Sequence, residues 1–350
     1  MLKFYKTAEG VMHELPQPIE GCWISLTEPT SEELNLLQEK TGVDHDFIRA
    51  ALDEEEASRI ESDDGQTLIV IDFPVEEKDT PHETAAAKRE MREMKQHLRN
   101  RSGSKTTKKQ VAQGKHRASA GAANYYTMPM SMIITHDYVI TVSLTSNPIT
   151  DDFARGAIKN VNTAFKTQFV FYLLLRVASY YLRYLKQIDR LSNTVERKLH
   201  TSMRNEELIQ LLSLEKSLVY FSTSLKSTEK VLDKLLRKRQ VRFYDEDQDL
   251  LEDVTVEFRQ AVEMSEIYSS ILSGTMDAFA SIISNNLNIV MKVLSVITIV
   301  MAVPTMVFSF YGMNTDDLLP LAGQPWLILV ISLAASIAAA IYLTKRKYTS

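Results

Sequence analysis

Two carboxylates and an amide stand close together in a short polar stretch near the end of the chain. The stretch reads SFYGMNTDDLLP, from Ser309 to Pro320, and it contains Asn314, Asp316 and Asp317 but no lysine or arginine. Carboxylates without basic neighbours raise the local concentration of cations. The stretch lies between two long apolar runs, so its chemistry depends on where those runs place it.

The two apolar runs are long enough to cross a membrane as helices. The first covers residues 287–311 and the second covers residues 326–343, and a hydrocarbon core of about 30 Å needs about 20 apolar residues. Two buried helices of a soluble protein are the alternative, but neither run has the broad, charged stripe of a helix that packs at a protein surface. We therefore expect two transmembrane helices joined by an extracytoplasmic loop, residues 312–325.

Basic residues at the ends of these runs predict their orientation. Lys345, Arg346 and Lys347 follow the second run, in a tail that spans residues 344–350. Lys292 lies near the start of the first run. Cytoplasmic flanks collect lysine and arginine, and the chain begins without an apolar segment of signal-peptide length. The sequence therefore predicts a multi-pass protein of the cell membrane with both termini in the cytoplasm.

Polar and small side chains recur at every third or fourth position of the first run. This spacing puts them on one face of a helix, where polar groups are costly if they contact lipid. Such a face either packs against other helices or borders a water-filled path, which with two spans per chain requires several chains around an axis. The residues of this face are Asn288, Met291, Leu294, Ser295, Thr298, Ala302 and Thr305.

Residues 1–164 read as a mixed α/β domain. The runs GCWISL, TLIVIDFPV and SMIITHDYVITVSL predict strands, and the last of them turns at His136 and Asp137. Glu33 follows Thr30 by three residues, which is the capping-box start of a helix. VDHDFIRAALD predicts a second short helix.

A basic insertion and a helical stalk complete the part before the apolar runs. Residues 79–126 carry a surplus of lysine and arginine, which indicates either a mobile, solvated insertion or a contact with anionic lipid or an acidic partner. Residues 165–286 contain no proline and are rich in helix formers. We expect a helical hairpin and then one long helix, from about Asp247, that continues into the first apolar run.

Composition and motifs exclude several classes of function. The 350 residues include 40 basic and 45 acidic ones, a balance that argues against a nucleic acid partner. The single cysteine, Cys22, fits a buried strand position better than a nucleophile, and the seven histidines are scattered. The sequence contains neither a phosphate-binding glycine loop nor an HExxH motif. We expect no enzymatic activity and no cofactor.

The tetrapeptide YGMN, Tyr311 to Asn314, and the order of the segments resemble the CorA family of magnesium transporters. The defining tripeptide of that family is Gly-Met-Asn, placed after a long stalk helix at the end of the first of two C-terminal spans. The resemblance implies an α+β cytoplasmic domain, a helical stalk and a funnel-shaped homopentamer whose first spans surround a pore. It also implies a selectivity filter of Gly312, Met313 and Asn314, with the carboxylates of Asp316 and Asp317 around the outer mouth.

The resemblance assigns roles to the polar face as well. The pore-lining residues that it implies are Asn288, Met291, Leu294, Thr298, Ala302 and Thr305. Met291 and Leu294 would form an apolar constriction, which can close a pore by excluding water. Asp277, on the stalk about three turns before Asn288, would bind a regulatory Mg²⁺ ion through which the intracellular ion closes the pore.

The expected function is therefore potential-driven influx of Mg²⁺, and by extension of Co²⁺ and Ni²⁺, through a homopentamer in membrane lipid. Mg²⁺ would be both substrate and regulatory ligand. One alternative is a transporter of zinc or another divalent cation from the same superfamily, although the first span offers no histidine or cysteine to coordinate zinc directly. The other is a membrane-anchored scaffold without a pore, in which Asn314 would be dispensable.

Overall fold

The computed structural model describes residues 1–77, 125–159, 161–202, 205–238, 245–311 and 325–347. The chain divides into two compact units, Met1–Gly274 and Thr275–Ser350. The predicted basic insertion lies outside the described residues, except for its last two positions, which belong to a strand.

A mixed sheet of seven strands, counted over the described residues, forms the centre of the first unit. The strands are β1 (Leu2–Ala8), β2 (Val11–Leu15), β3 (Trp23–Thr27), β4 (Arg59–Asp63), β5 (Gln66–Glu76), β6 (Tyr125–Ile134) and β7 (Val139–Ser143). Their order is β2-β1-β3-β7-β6-β5-β4, in which β3 and β7 are parallel and the other neighbours are antiparallel. The turn predicted at His136 and Asp137 is confirmed, because it joins β6 to β7.

Two short helices pack on a hydrophobic core at the sheet. Helix α1 (Ser31–Thr41) is followed by α2 (His45–Arg49) and a single 3-10 turn. The predicted capping box is confirmed: Thr30 Oγ1 accepts from the Glu33 N–H at 3.3 Å, and Glu33 Oε2 accepts from the Thr30 N–H at 3.0 Å. The core beneath these helices includes Ile24, Leu26, Leu37, Ile48, Val70, Ile133 and Val142.

Cys22 belongs to the same core. It is fully buried directly before β3, and burial raises the pKa of its thiol. A protonated, inaccessible thiol is a poor nucleophile, which confirms the interpretation of Cys22 as a core residue.

The next three helices are α3 (Pro148–Ala154), α4 (Lys166–Ser202) and α5 (Asn205–Lys238). The predicted helical hairpin is confirmed by α4 and α5, which belong with the sheet to the first unit. Aromatic rings join the sheet to α3 and α4: the Trp23 ring lies 6.3 Å from that of Phe153 and 5.4 Å from that of Phe169.

The last two helices are the long α6 (Asp245–Tyr311) and α7 (Pro325–Lys347). The predicted long helix is confirmed: α6 starts two residues before Asp247 and continues without a break through the first apolar run. Near its start, α6 buries Leu251, Val254 and Phe258 in the first unit. The sequence contains no proline from residue 245 to residue 303, which favours continuous helix there, since proline would remove a backbone donor.

Asp152 connects α3 to α4 through a partly buried ion pair with Arg176. Its Oδ2 accepts hydrogen bonds from Arg176 Nε at 3.0 Å, from Arg176 Nη2 at 2.6 Å and from the Tyr180 hydroxyl at 2.8 Å. Burial alone would raise the pKa of Asp152, but the hydrogen bonds from Arg176 and Tyr180 and the charges of Arg176 and Arg155 outweigh burial and lower it.

We expect Asp152→Asn to lower the free energy of unfolding by about 2 kcal/mol at pH 7, because hydrogen bonds to a charged acceptor are lost. The pKa of Asp152 is depressed in the folded state, so its stabilisation is present above the unfolded pKa of about 3.9. It disappears as the pH falls through the folded pKa. Urea unfolding of the full chain in detergent, followed by circular dichroism at several pH values, measures both effects. The exposed Asp151→Asn on the same helix is the matched control, and an equal loss in that variant would contradict the assignment.

Candidate functional site

The polar stripe predicted from the sequence lies on the part of α6 that belongs to the second unit. Among the described residues, α6 and α7 are the helices long and apolar enough to cross a membrane, with mean hydropathies of 2.2 and 2.4 over their most apolar windows. In the most apolar 18-residue segment of each helix, none of the α6 residues and 17% of the α7 residues are buried. A core helix of a soluble protein would be mostly buried, so the exposure of both windows argues against the soluble alternative.

Two interleaved series of residues, each with a spacing of seven, define one face of α6, here called the polar face. A seven-residue period keeps side chains on one side of a helix. The first series is Asp277, Ser284, Met291, Thr298 and Thr305, and the second is Ser281, Asn288, Ser295, Ala302 and Ser309. Leu294 lies at the edge of this face, beside Ser295. All of these residues are exposed in the single chain.

Three serines of the polar face were missed by the sequence analysis. Ser281 and Ser284 extend the face before Asn288, and Ser309 extends it toward the end of α6. The seven-residue spacing would have identified them, because each falls into a series that already holds a predicted residue. The four serine and threonine residues between positions 287 and 311 thus all lie on this face.

The hydroxyl groups of the polar face bind the helix backbone. Ser295 Oγ donates to the Met291 carbonyl at 2.8 Å, Thr298 Oγ1 donates to the Leu294 carbonyl at 2.9 Å, and Thr305 Oγ1 donates to the Met301 carbonyl at 3.0 Å. Each hydroxyl has a single hydrogen and two acceptor lone pairs. With the hydrogen committed to the backbone, what the hydroxyl offers away from the helix is acceptor oxygen.

Pro304 lies inside α6, one residue before Thr305. Proline has no N–H to donate to the carbonyl four residues earlier, which here is Val300. Proline is tolerated in a membrane helix where neighbouring groups or water satisfy the freed carbonyl. At about 3.6 residues per turn, Val300 and Pro304 fall on the side of α6 away from the polar face, so the freed carbonyl does not belong to that face.

Helix α7 contains hydroxyl groups of a different kind. Ser332 and Ser336 are 2% and 7% exposed, and Ser336 Oγ donates to the Ser332 carbonyl at 2.9 Å. The hydrogen bond of Ser336 matches that of Ser295, but both serines of α7 are buried. Small buried residues four positions apart are typical of helix contacts in membranes.

The structure describes only part of the predicted site. Gly312, Met313, Asn314, Asp316 and Asp317 lie outside the described residues. Asp277 is exposed on α6. The part of the chain that the structure describes contains no group of three or more histidine, cysteine, aspartate and glutamate side chains that could hold a metal ion. The regulatory role of Asp277 therefore stays a prediction.

Comparisons with known proteins agree on one family. The family described as CorA-like Mg²⁺ transporter protein matches residues 114–346. The cobalt/magnesium transport protein CorA of Methanocaldococcus jannaschii is 26% identical over 321 residues, which cover 88% of this chain and 85% of that protein. The protein of the same name from Thermotoga maritima is 27% identical over 171 residues, 48% of each chain.

A solved structure repeats the fold over the full length. The complete structure of the CorA magnesium transporter from M. jannaschii aligns with a TM-score of 0.75 at 23% identity, over 99% of this chain and 98% of that one. The similar fold therefore includes the soluble α/β domain, the long helix and the C-terminal helix. Together with the match over residues 114–346, it shows that the chain belongs to the family of CorA-like Mg²⁺ transporter proteins.

Proposed function

We propose that this chain forms a homopentameric channel in the cell membrane through which Mg²⁺ flows inward. The observation that carries the proposal is the polar face of α6, which continues from Asn288 to Ser309 through an apolar, exposed span. The chain belongs to a family described as Mg²⁺ transporters, which supports a divalent cation as the substrate. Two relatives are named for cobalt and magnesium transport, which supports extending the proposal to Co²⁺ and, by similar chemistry, to Ni²⁺.

The chemistry of the polar face suits a hydrated cation. Mg²⁺ gives up its water reluctantly, and the outer surface of its hydration shell consists of water hydrogens that need acceptors. The hydroxyl oxygens of Ser295, Thr298 and Thr305 are such acceptors, because their hydrogens bind the backbone. Neutral acceptors bind weakly enough for the ion to move on.

Several copies are needed to enclose a path. One chain contributes one polar face, and closed symmetry would repeat that face around an axis. We propose five copies in a funnel-shaped assembly, as the resemblance to the family implies. The other sides of α6 are exposed and apolar, for example at Val290, Ile297 and Met301, and would contact lipid and neighbouring copies.

The selectivity filter would consist of Gly312, Met313 and Asn314 at the outer mouth. Backbone carbonyls of Gly312 and side-chain amides of Asn314 would bind the waters of the ion, so that its inner shell need not be removed. Asp316 and Asp317 would raise the local cation concentration. Further inward, Met291 and Leu294, which are 53% and 55% exposed in the single chain, would form the apolar constriction.

The membrane potential would drive the flow. Both termini would face the cytoplasm, with Lys345 at the cytoplasmic end of α7. Each charge gains about 2.3 kcal/mol per 100 mV, and a divalent ion gains twice that amount. Mg²⁺ bound at Asp277 would close the pore when the cytoplasmic concentration is high.

Two alternatives make different predictions. A zinc transporter of the same superfamily would carry Zn²⁺ in preference to Mg²⁺, although the polar face has neither histidine nor cysteine among its described residues. A scaffold without a pore would carry no ion at all. Liposomes that contain the full-length protein and a trapped indicator separate these cases under an inside-negative potential. We expect rapid uptake of Mg²⁺ and Co²⁺, whereas uptake of Zn²⁺ alone would favour the first alternative and no uptake would favour the second.

A matched pair of substitutions tests the role of the polar face. We expect Ser295→Ala to lower the rate of Mg²⁺ uptake about fivefold, since one acceptor per chain is lost at roughly 1 kcal/mol. Ser336→Ala removes an equivalent hydroxyl with the same backbone hydrogen bond from a buried position on α7, and should leave the rate unchanged. Equal uptake rates in both variants and in wild type would show that Ser295 does not line the path of the ion.

A further inference from the structure

The ends of β5 and β6 form a two-stranded ribbon that extends past the rest of the sheet. β4 pairs with β5 only up to Val70, and β7 pairs with β6 only from Met130 onward. Residues 72–76 and 125–129 pair with each other alone within the sheet. An isolated two-stranded ribbon is marginally stable in water, so this ribbon depends on what packs against it.

Polar contacts with α4 and α5 hold the ribbon. The Tyr125 N–H donates to Ser217 Oγ at 3.1 Å, and the Tyr125 hydroxyl donates to Gln187 Oε1 at 3.2 Å. The Tyr181 hydroxyl donates to the backbone carbonyl of Asp72 at 3.1 Å. Ser224 contacts the ribbon at the same point as Tyr181, so two helices meet the ribbon around Asp72.

The carboxylate of Asp72 is half-buried at this junction, here called the Asp72 junction and made of Asp72, Thr127, Tyr181 and Ser224. Ser224 Oγ donates to Asp72 Oδ2 and also lies 2.9 Å from Thr127 Oγ1. Burial raises the pKa of Asp72, and the hydrogen bond from Ser224 lowers it only in part. Among the described residues, no lysine, arginine or histidine forms an ion pair with Asp72, which is unfavourable for a charge held partly away from water.

The charged groups around the junction do not compensate for the carboxylate. From α4, the titratable group that faces Asp72 is Tyr181, whose pKa is raised well above its usual value by burial and by the charge of Asp72. From α5 and β6 the contacting groups are the hydroxyls of Ser224 and Thr127, which carry no charge. The charges of Glu76 and Arg183 affect Tyr125, which lies further along the ribbon: Glu76 raises the pKa of the Tyr125 hydroxyl, and Arg183 lowers it.

Protonation of Asp72 would remove a charge from the junction without removing a hydrogen bond. When Asp72 is ionised, Ser224 donates to the carboxylate, and the Thr127 hydroxyl can donate to Ser224 Oγ. When Asp72 is neutral, its own O–H can donate to Ser224 Oγ, and the Ser224 hydroxyl can donate to Thr127 Oγ1. The three side chains keep the same number of hydrogen bonds, and no charge is held partly away from water.

We propose that Asp72 is a proton-controlled latch between the β5–β6 ribbon and the α4–α5 hairpin, closed when Asp72 is neutral and loosened when it is ionised. The sign follows from linkage. An acid whose folded pKa is raised contributes full stability below the unfolded pKa, about 3.9 for aspartate. That contribution is lost as the pH rises to and through the folded pKa. A fall in pH around the first unit would therefore hold the ribbon more firmly. The inference does not depend on the transport proposal.

Hydrogen–deuterium exchange of the full-length protein in detergent tests the latch between pH 4.5 and 8. Exchange times are corrected for the intrinsic effect of pH, and peptides that cover residues 72–76 and 125–129 report on the ribbon. In wild type we expect the protection of these peptides to fall as the pH rises. The total fall should be roughly tenfold for each unit by which folding raises the pKa of Asp72. In Asp72→Asn, which keeps the shape of the side chain, protection should be the same at every pH.

Two comparisons complete the test. Ser224→Ala removes the hydrogen bond that favours the ionised form, so it should make the loss of protection with pH larger than in wild type. Peptides that contain β3 should show equal protection in all three proteins and at every pH. The same pH profile in wild type and Asp72→Asn, or protection that rises with pH, would overturn the proposal.

Discussion

Replacing Asn314 with alanine is expected to reduce Mg²⁺ uptake into liposomes by more than tenfold while leaving the protein folded. The proposed filter binds the water shell of the ion through a ring of amides, and the substitution removes one amide from every copy at once. Each net hydrogen bond contributes about 1 kcal/mol. If the hydrated ion loses two of these hydrogen bonds, about 2 kcal/mol is lost. This exceeds the 1.4 kcal/mol that corresponds to a tenfold change in rate.

The matched control for this prediction is Asn162→Ala. Asn162 lies in the first unit, where its Oδ1 accepts from the Ala164 N–H at 3.0 Å, so the same substitution leaves the filter intact. Size-exclusion chromatography of both variants establishes that each still assembles like wild type. Undiminished uptake by Asn314→Ala would show that Asn314 is not part of the filter, although the protein would still be a transporter.

The second large effect is expected in the core of the first unit. Trp23 is completely buried, its ring lies 4.9 Å from that of Tyr5, and its Nε1 donates to Thr141 Oγ1 at 3.0 Å. Phe153 and Phe169 complete the surrounding cluster. We expect Trp23→Ala to lower the free energy of unfolding by about 3–5 kcal/mol, because truncation of a buried tryptophan leaves a cavity.

Trp23→Phe provides the graded comparison. It keeps a ring against Tyr5 but loses the hydrogen bond to Thr141, so the expected loss is smaller than for alanine. Urea unfolding of the full chain, followed by far-ultraviolet circular dichroism, measures both losses. A loss of less than about 0.5 kcal/mol for Trp23→Ala, which is the range of ordinary surface substitutions, would show that the aromatic cluster contributes little to the stability of the fold.

The sequence predicted the elements whose local signals are strong. Thr30 and Glu33 mark the start of α1 because a capping box involves only neighbouring residues. The proline-free stretch indicated the α4–α5 hairpin and the long helix α6. The family match confirms the resemblance based on the YGMN tetrapeptide, and it confirms a transporter rather than an enzyme.

The elements that escaped prediction depend on distant partners. The β1–β2 hairpin and β4 have weak patterns of their own, and they are strands because they pair along the edges of the sheet. The parallel pairing of β3 with β7 joins residues more than a hundred positions apart. The Asp72 junction was invisible for the same reason, since Asp72 meets Ser224 only when α5 packs against the ribbon.

Within the site, the spacing of residues predicted the polar face, and the structure added the hydrogen bonds of its hydroxyl groups. Spacing of three and four residues identified the polar face of α6 from Asn288 to Thr305. Spacing alone did not reveal that Ser295, Thr298 and Thr305 direct their hydrogens to the backbone. That detail depends on rotamers, and it is what makes the face a surface of acceptors.

The central claim is that the polar face of α6 borders water inside the membrane, and cysteine accessibility tests it most directly. The native Cys22 is buried, so it adds little background and can also be replaced by serine. Single cysteines would be placed along α6 in the full-length protein in liposomes. Each would be treated with a charged thiol reagent that does not cross lipid.

We predict that cysteines at 288, 295, 298 and 302 react, while those at 290, 293, 297 and 301 do not. Reactivity should repeat every three or four residues, because only one face of the helix would border water. Reaction at both sets alike, or at neither set, would contradict a water-filled path lined by α6.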